Sequence, residues 1–257
     1  TNHHGLMIAG EAALSNWDAG MDMYIYGKLG NLTMTKEGIN VLMTNLTGKV
    51  PPILQRLDYI RFNGEAAGYL HDLTLTGLFH TGAGMVKTDV MMSIDEQSMS
   101  RTYSGSVASA DLDLGKLLNQ EKKFGKVDFN VELKGFNYKN RYPESYIKGI
   151  ISSFEYSQYQ YENIMLDGVY KDGGFNGRLS MDDANGSVQI DGNFNVAKTI
   201  PDFNLKASVK NLRPHDLHLS DKYENASISL GLTADFTGKS IDDMNGRISF
   251  CLLYTSD

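Results

Sequence analysis

The sequence predicts an all-β protein built from successive antiparallel hairpins, with only a few short helices. Three observations carry this reading. Val127 to Lys134 reads Val-Asp-Phe-Asn-Val-Glu-Leu-Lys, apolar and polar in strict alternation. A strand points successive side chains to opposite faces, so such a stretch has one dry face and one wet face. The pattern recurs: Val188, Ile190, Phe194 and Val196 over 187–196, Phe203, Leu205, Ala207 and Val209 over 203–210, and Ile228, Leu230, Leu232, Ala234 and Phe236 over 226–236. Finally, Gly125, Gly135, Gly168, Gly177, Gly186, Gly192, Gly231, Gly238 and Gly246 are spaced as strand ends would be, the punctuation of a sheet made of hairpins.

Taken in chain order, Thr35 to Leu46 has a threonine cap candidate and Ile39, Leu42, Met43 and Leu46 at helical spacing. Gly38 weakens that helix by about 1 kcal/mol. Pro51 to Leu57 suits a helical turn, with proline at the start where its missing N–H costs little. In Gly64-Glu65-Ala66-Ala67-Gly68 the small residues allow neighbouring backbones to approach closely. Leu73 to Gly77 and Met85 to Ile94 read as strands, and Asp111 to Asn119 as another helical turn. The aromatic-rich stretch from Gly149 to Tyr170 reads as two strands more. Lys171-Asp172-Gly173-Gly174 and Asp182-Asp183-Ala184-Asn185-Gly186 are hairpin turns, since Asn, Asp and Gly accept the positive φ that tight hairpins demand.

Composition narrows the function. A hydrophobic fraction of 41% fits a chain that buries a core. A net charge of −7 with scattered basic residues argues against nucleic acid, which selects a clustered basic face. Cys251 is the single cysteine, so no internal disulfide forms. No stretch approaches the roughly 18 apolar residues of a spanning helix. Both termini read as cut from a longer protein, and 251–257, which breaks the alternation, reads as a non-native tail. No long polar linker marks a boundary; the expected division is an N-terminal β-rich segment with short helices over 1–100 and a repeated amphipathic segment over 101–250.

The chain offers little for catalysis, metal or cofactor. Gly238-Lys239-Ser240 resembles the end of a phosphate-binding loop, but that loop needs a glycine five positions earlier, where Thr233 stands. His215 and His218 would face opposite sides of a strand, and only a helical turn would let them share a metal. His3 and His4 read as terminus. Asp182 to Gly186 lacks the alternating ligands and closing glutamate of a calcium loop. The expectation is a non-enzyme with no catalytic residue, no metal and no cofactor.

Three segments carry a family resemblance: Ile53 to Leu57 followed by Ile60 to Gly64 and Leu73 to Thr81; Asp111 to Leu118 leading into Gly125-Lys126-Val127; and Leu212 to Leu217 between alternating strands. Over roughly residues 10–250 the chain resembles the AsmA-like, TamB-type translocation and assembly proteins of the Gram-negative envelope, especially long versions from Bacteroidota. The resemblance implies a long antiparallel sheet curled into an open apolar groove. It also implies a periplasmic protein anchored in the inner membrane through parts outside this sequence. Phospholipid acyl chains would be its partner, with an outer-membrane assembly barrel as a further one, and the role would be lipid transport or outer-membrane assembly. The groove-lining residues are then the inward alternates: Val127, Phe129, Val131, Leu133, Val188, Ile190, Phe194, Val196, Phe203, Leu205, Ala207, Val209, Ile228, Leu230 and Leu232. Alternation alone allows another outcome, a closed β-sandwich with a structural, adhesive or glycan-binding role. The tyrosines from Tyr156 to Tyr170 would then form the contact surface.

Overall fold

The computed structural model describes the chain apart from residues 1, 4, 17–18, 96, 99, 138–143, 196–197, 223, 239–242 and 253–257. The fold is all-β, one antiparallel sheet of 15 strands that does not close into a barrel, with few short helices. The strands are β1 (Asn2–His3), β2 (Leu6–Ser15), β3 (Tyr24–Thr35), β4 (Tyr59–Tyr69), β5 (Asp72–Thr81), β6 (Gly84–Asp95), β7 (Ser100–Asp113), β8 (Phe124–Asn137), β9 (Glu144–Tyr156), β10 (Tyr159–Lys171), β11 (Gly174–Asp183), β12 (Gly186–Asn195), β13 (Asp202–Leu212), β14 (Ile228–Thr237) and β15 (Asn245–Leu252). Every neighbour in the sheet is the neighbour in sequence. No second sheet packs against it among the described residues, so the architecture is not a sandwich.

Tight hairpins make this meander possible. Between β10 and β11 Asp172 and Gly173 take φ of 51° and 78°, the two-residue turn whose twist matches that of its strands. Ser157 and Gln158 do the same between β9 and β10, at 50° and 65°, although neither is a glycine. Pairing runs without a break from β6 into β7, from Met85 opposite Ala110 to Asp95 opposite Ser100. The 1–100 and 101–250 segments are therefore joined by sheet hydrogen bonds. β14 starts at Ile228, two residues later than the alternation implied. Cys251 and Leu252 complete β15, pairing with Gly231 and Leu230, while the rest of the expected tail lies outside the described residues.

The glycines correct one expectation. Gly135, Gly168, Gly177, Gly192 and Gly231 lie inside strands, and β8 runs through both Gly125 and Gly135. The strands are accordingly 10 to 14 residues long from β2 to β14. The physical reason is close approach. A Cβ on Gly135 would overlap the Tyr103 ring, and Cβ atoms on Gly64 and Gly168 would stand 2.7 and 2.5 Å from the rings of Phe62 and Phe175. Each glycine leaves a berth for an aromatic ring, a known compensation for glycine in a sheet.

Bulges supply the other device. Register shifts fall between Ser109 and Leu112 and between Val209 and Leu212. The extra residues Asp111 and Asn211 take φ of 54° and 49°, as does Asn163 in β10 at 52°. Asp and Asn tolerate this region better than most residues, and bulges there bend and twist the strand.

Three helices lie at one border. In α1 (Lys36–Thr47) the Thr35 hydroxyl accepts from the Gly38 N–H at 3.4 Å, and Gly48 ends the helix at φ 74°. The α2 turn (Pro52–Gln55) starts on its proline. In α3 (Leu114–Leu118) the Asp113 carboxylate accepts from the Lys116 N–H at 2.8 Å. Ile39, Leu57, Leu117, Met34, Ile60, Ala83, Leu112 and Val127 form the buried core, with Leu42 and Met43 against it; the Leu46 side chain lies outside the described residues.

Two substitutions test this account. Thr35→Ala is expected to lower stability by about 1 kcal/mol through loss of the cap. Gly135→Ala is expected to cost about 1–3 kcal/mol by displacing the Tyr103 ring. Urea unfolding measures both, and an unchanged midpoint for Gly135→Ala would show the ring has room to move.

Candidate functional site

Because pairing stays in register, side chains of all the strands sort onto two faces. One cross-strand row runs Leu32, Phe62, Phe79, Val86, Ser109, Phe129, Ile151, Ile164, Met181, Val188, Val209 and Leu230, from β3 to β14. A parallel row through β10 to β14 is aromatic throughout: Tyr170, Phe175, Phe194, Phe203 and Phe236. Between them Gly168, Gly177 and Gly192 stand side by side, followed by Leu205 and Ala234. These rows share one face, called the inner face below.

The opposite face is polar and carries alternating charge. Glu132, Lys148, Asp167, Arg178, Asp191 and Lys206 are consecutive cross-strand partners from β8 to β13. Arg178 Nε lies 2.6 Å from Asp191 Oδ1, and Lys148 Nζ 3.6 Å from Asp167 Oδ2. Exposed pairs of this kind are worth at most about 1 kcal/mol each, but directly opposed unlike charges favour this register over a slipped one. Shallow depressions of about 500 and 480 Å³ open on this outer side, around Met91, Phe136, Tyr146 and Val169 and around Ile150, Met165, Asp167 and Arg178.

Exposure separates the faces. Ile150 and Met165 on the outer face are 49% and 53% exposed, whereas Ile147, Ile151, Ile164 and Leu166 on the inner face of the same strands are half-buried. No layer covers the middle of the inner face among the described residues. Its side chains are sheltered by one another, as on the concave side of a curved sheet, and the face is an apolar trough.

One long border of that trough is closed. α1, α2 and α3 seal it over β3 to β8, through the core cluster named above. Lys116 Nζ reaches Asp58 Oδ2 at 2.6 Å and the Gly82 carbonyl at 3.0 Å, and Arg56 donates to the Leu117 carbonyl. Further along, Phe124, Phe154, Tyr156 and Tyr161 continue the seal as a chain of ring contacts. The turn at 213–220 completes it: Leu217 is wholly buried and its carbonyl accepts from the Tyr161 hydroxyl at 2.7 Å. Burial, then the hydrogen bond to Asp183, pushes the Tyr159 hydroxyl up to about 12. Tyr159 and Tyr161 thus anchor a loop and do not form an open contact surface. His218 Nδ1 lies 2.9 Å from the Ser157 carbonyl oxygen, and His215 lies beside Asp216.

Every expected inward alternate that is described lies on the inner face, from Val127, Phe129, Val131 and Leu133 on β8 to Leu230 and Leu232 on β14. Val127 belongs to the sealed border, while Phe194 and Ile228 are exposed at 39% and 37%. Val196 lies outside the described residues, as do Lys239 and Ser240 of the loop-like tripeptide. The inner residues of β3 to β5 and β9 to β11 escaped the alternation because bulges shift parity or glycine interrupts it; the available signal was the pair Tyr170 and Phe175 flanking a two-residue turn.

Among the described residues no group of three or more His, Cys, Asp or Glu side chains is placed to hold a metal ion. No described helix is long and apolar enough to cross a membrane. No family model, no curated protein and no solved structure matches this chain.

The Lys116–Asp58 clasp sets a pH window. Hydrogen bonding and the charge of Lys116 hold the Asp58 carboxyl below its ordinary 3.8, and the Asp58 hydrogen bond holds Lys116 above 10.5. The clasp therefore stabilises the closed border fully between these two values. Its contribution fades as pH falls through the lowered Asp58 value or rises through the raised Lys116 value. Lys116→Met is expected to flatten part of the acid dependence of unfolding below pH about 4. Thermal melts at stepped pH measure this, and identical acid profiles would show that the clasp contributes nothing.

Proposed function

We propose that the trough shelters the acyl chains of lipid, as a non-enzymatic carrier or conduit. The observation that carries this reading is the largely apolar face, which passes in register from β3 to β14 with one border sealed and, among the described residues, no covering layer over its middle. A soluble domain rarely leaves so large an apolar face without an occupant. At about 4.8 Å per strand the trough is on the order of 60 Å long. One lipid's chains reach half of a hydrocarbon core of about 30 Å, so several lipids fit in file. Keeping a sixteen-carbon chain from water is worth on the order of 12 kcal/mol, at about 0.8 kcal/mol per methylene. The side chains solvate the chains passively, and no bond is made or broken.

The resemblance to AsmA-like, TamB-type proteins supports the same reading. A periplasmic location, an inner-membrane anchor beyond this sequence, phospholipid as cargo and an outer-membrane assembly barrel as partner belong to this proposal. Cell fractionation and crosslinking test them.

The decisive experiment is lipid extraction and mass spectrometry on protein expressed in a Gram-negative periplasm and purified without detergent. Stoichiometric phospholipid is expected. Leu205→Asp places a carboxylate on a half-buried inner position and is expected to abolish retention while circular dichroism stays that of the wild type. A folded wild type free of lipid would sink the reading, and so would a folded Leu205→Asp protein that retains lipid normally.

A further inference from the structure

We propose that Arg101 is the headgroup site of this trough, its guanidinium holding the phosphate of an anionic lipid whose chains lie on the inner face. The inference rests on the acyl-chain reading above. Arg101 pairs with Ile94 of β6 and Asn137 of β8, in the same register that places Tyr103 opposite Met92 and Gly135. It therefore belongs to the inner face, at the border away from the helices.

Charge is almost absent from that face. Among the described, paired strand residues, only Arg101 and Asp183 carry charge on the inner register. Asp183 lies at the sealed border and is fully engaged: it accepts from the Tyr159 hydroxyl, from the Asn185 N–H at 2.9 Å and from the Glu162 N–H at 3.1 Å. Arg101 is exposed and makes no ion pair among the described residues. Asp95, the described carboxylate of its own hairpin, falls on the outer register and holds the Ser98 N–H and hydroxyl at 2.7 and 2.8 Å. On the outer face Lys126, Lys148 and Arg178 each have a carboxylate partner.

An arginine at the edge of an apolar surface lays its methylenes on that surface and keeps its head in water. The guanidinium fork matches a phosphate with two parallel hydrogen bonds, and such charge-assisted bonds are roughly twice as strong as neutral ones. One row inward, the Tyr103 hydroxyl bonds the Ser145 hydroxyl, a polar notch between the cation and the apolar floor. Charge at the water line, hydroxyls next and hydrocarbon beyond is the polarity of an anionic glycerolipid.

The test compares wild type, Arg101→Glu and Leu205→Asp with three probes: fluorescent phosphatidylglycerol, diacylglycerol of the same chains, and inorganic phosphate. Arg101→Glu is expected to weaken phosphatidylglycerol binding about tenfold and leave diacylglycerol binding unchanged, whereas Leu205→Asp loses both. Unchanged phosphatidylglycerol binding by Arg101→Glu overturns the headgroup site and leaves the acyl-chain reading standing. A folded wild type that binds neither lipid overturns both. Inorganic phosphate bound as tightly as phosphatidylglycerol, and lost in Arg101→Glu, would show a free-anion site and overturn the lipid assignment.

Discussion

The structure depends on one constraint: strand register held across the whole sheet, so that every strand turns its apolar side chains the same way. A slip of one residue at any hairpin would move a complete apolar set to the outer face. Three features oppose such a slip. Two-residue turns at Ser157-Gln158 and Asp172-Gly173 fix the local pairing. The ladder from Glu132 to Lys206 places unlike charges opposite each other and would bring them out of phase if shifted. Rings seated over the glycines of neighbouring strands, Phe62 over Gly77, Tyr103 over Gly135 and Phe175 over Gly168, fit only where those positions lack a side chain.

The same features shape the trough. Bulges at Asp111 and Asn211 bend strands near the sealed border, and side-chain-free positions at Gly168, Gly177 and Gly192 lower the floor between an aliphatic and an aromatic row. The hydrophobic core is therefore displaced to one side. Met34, Ile39, Leu57 and Leu117 pack where helices cover the sheet, while most inner residues away from that border, such as Ile147, Ile151 and Leu166, are half-buried. An ordinary domain would bury this face under a second layer. Leaving it open among the described residues is the feature on which the proposed sheltering of acyl chains rests.

Edges of such a sheet are reactive. β15 is the last strand of the described sheet, and its Phe250 on the inner register is 67% exposed. Open edges template further strand pairing.

How much of this was legible in the sequence differs by segment. Strict alternation in β8, β12, β13 and β14 assigned their faces correctly, because a period of two leaves no choice once one face is apolar. The Thr35 cap was equally readable, and the turn expected over 111–119 is a helix that Asp113 caps. Elsewhere local pattern failed for physical reasons. Mid-strand glycines looked like turns because the residue type permits both, and only the ring lying across from Gly135 or Gly168 shows which role it serves. Bulges reversed parity in β3, β7 and β10, hiding Leu32, Leu112 and Tyr161 from any count of alternate residues. The sequence by itself determined that many one-faced strands would form in succession. Tertiary structure alone decided that they join one unclosed sheet, which border is sealed, and that Arg101 is placed on the inner register at the other, because those facts arise from pairings between residues far apart in the chain.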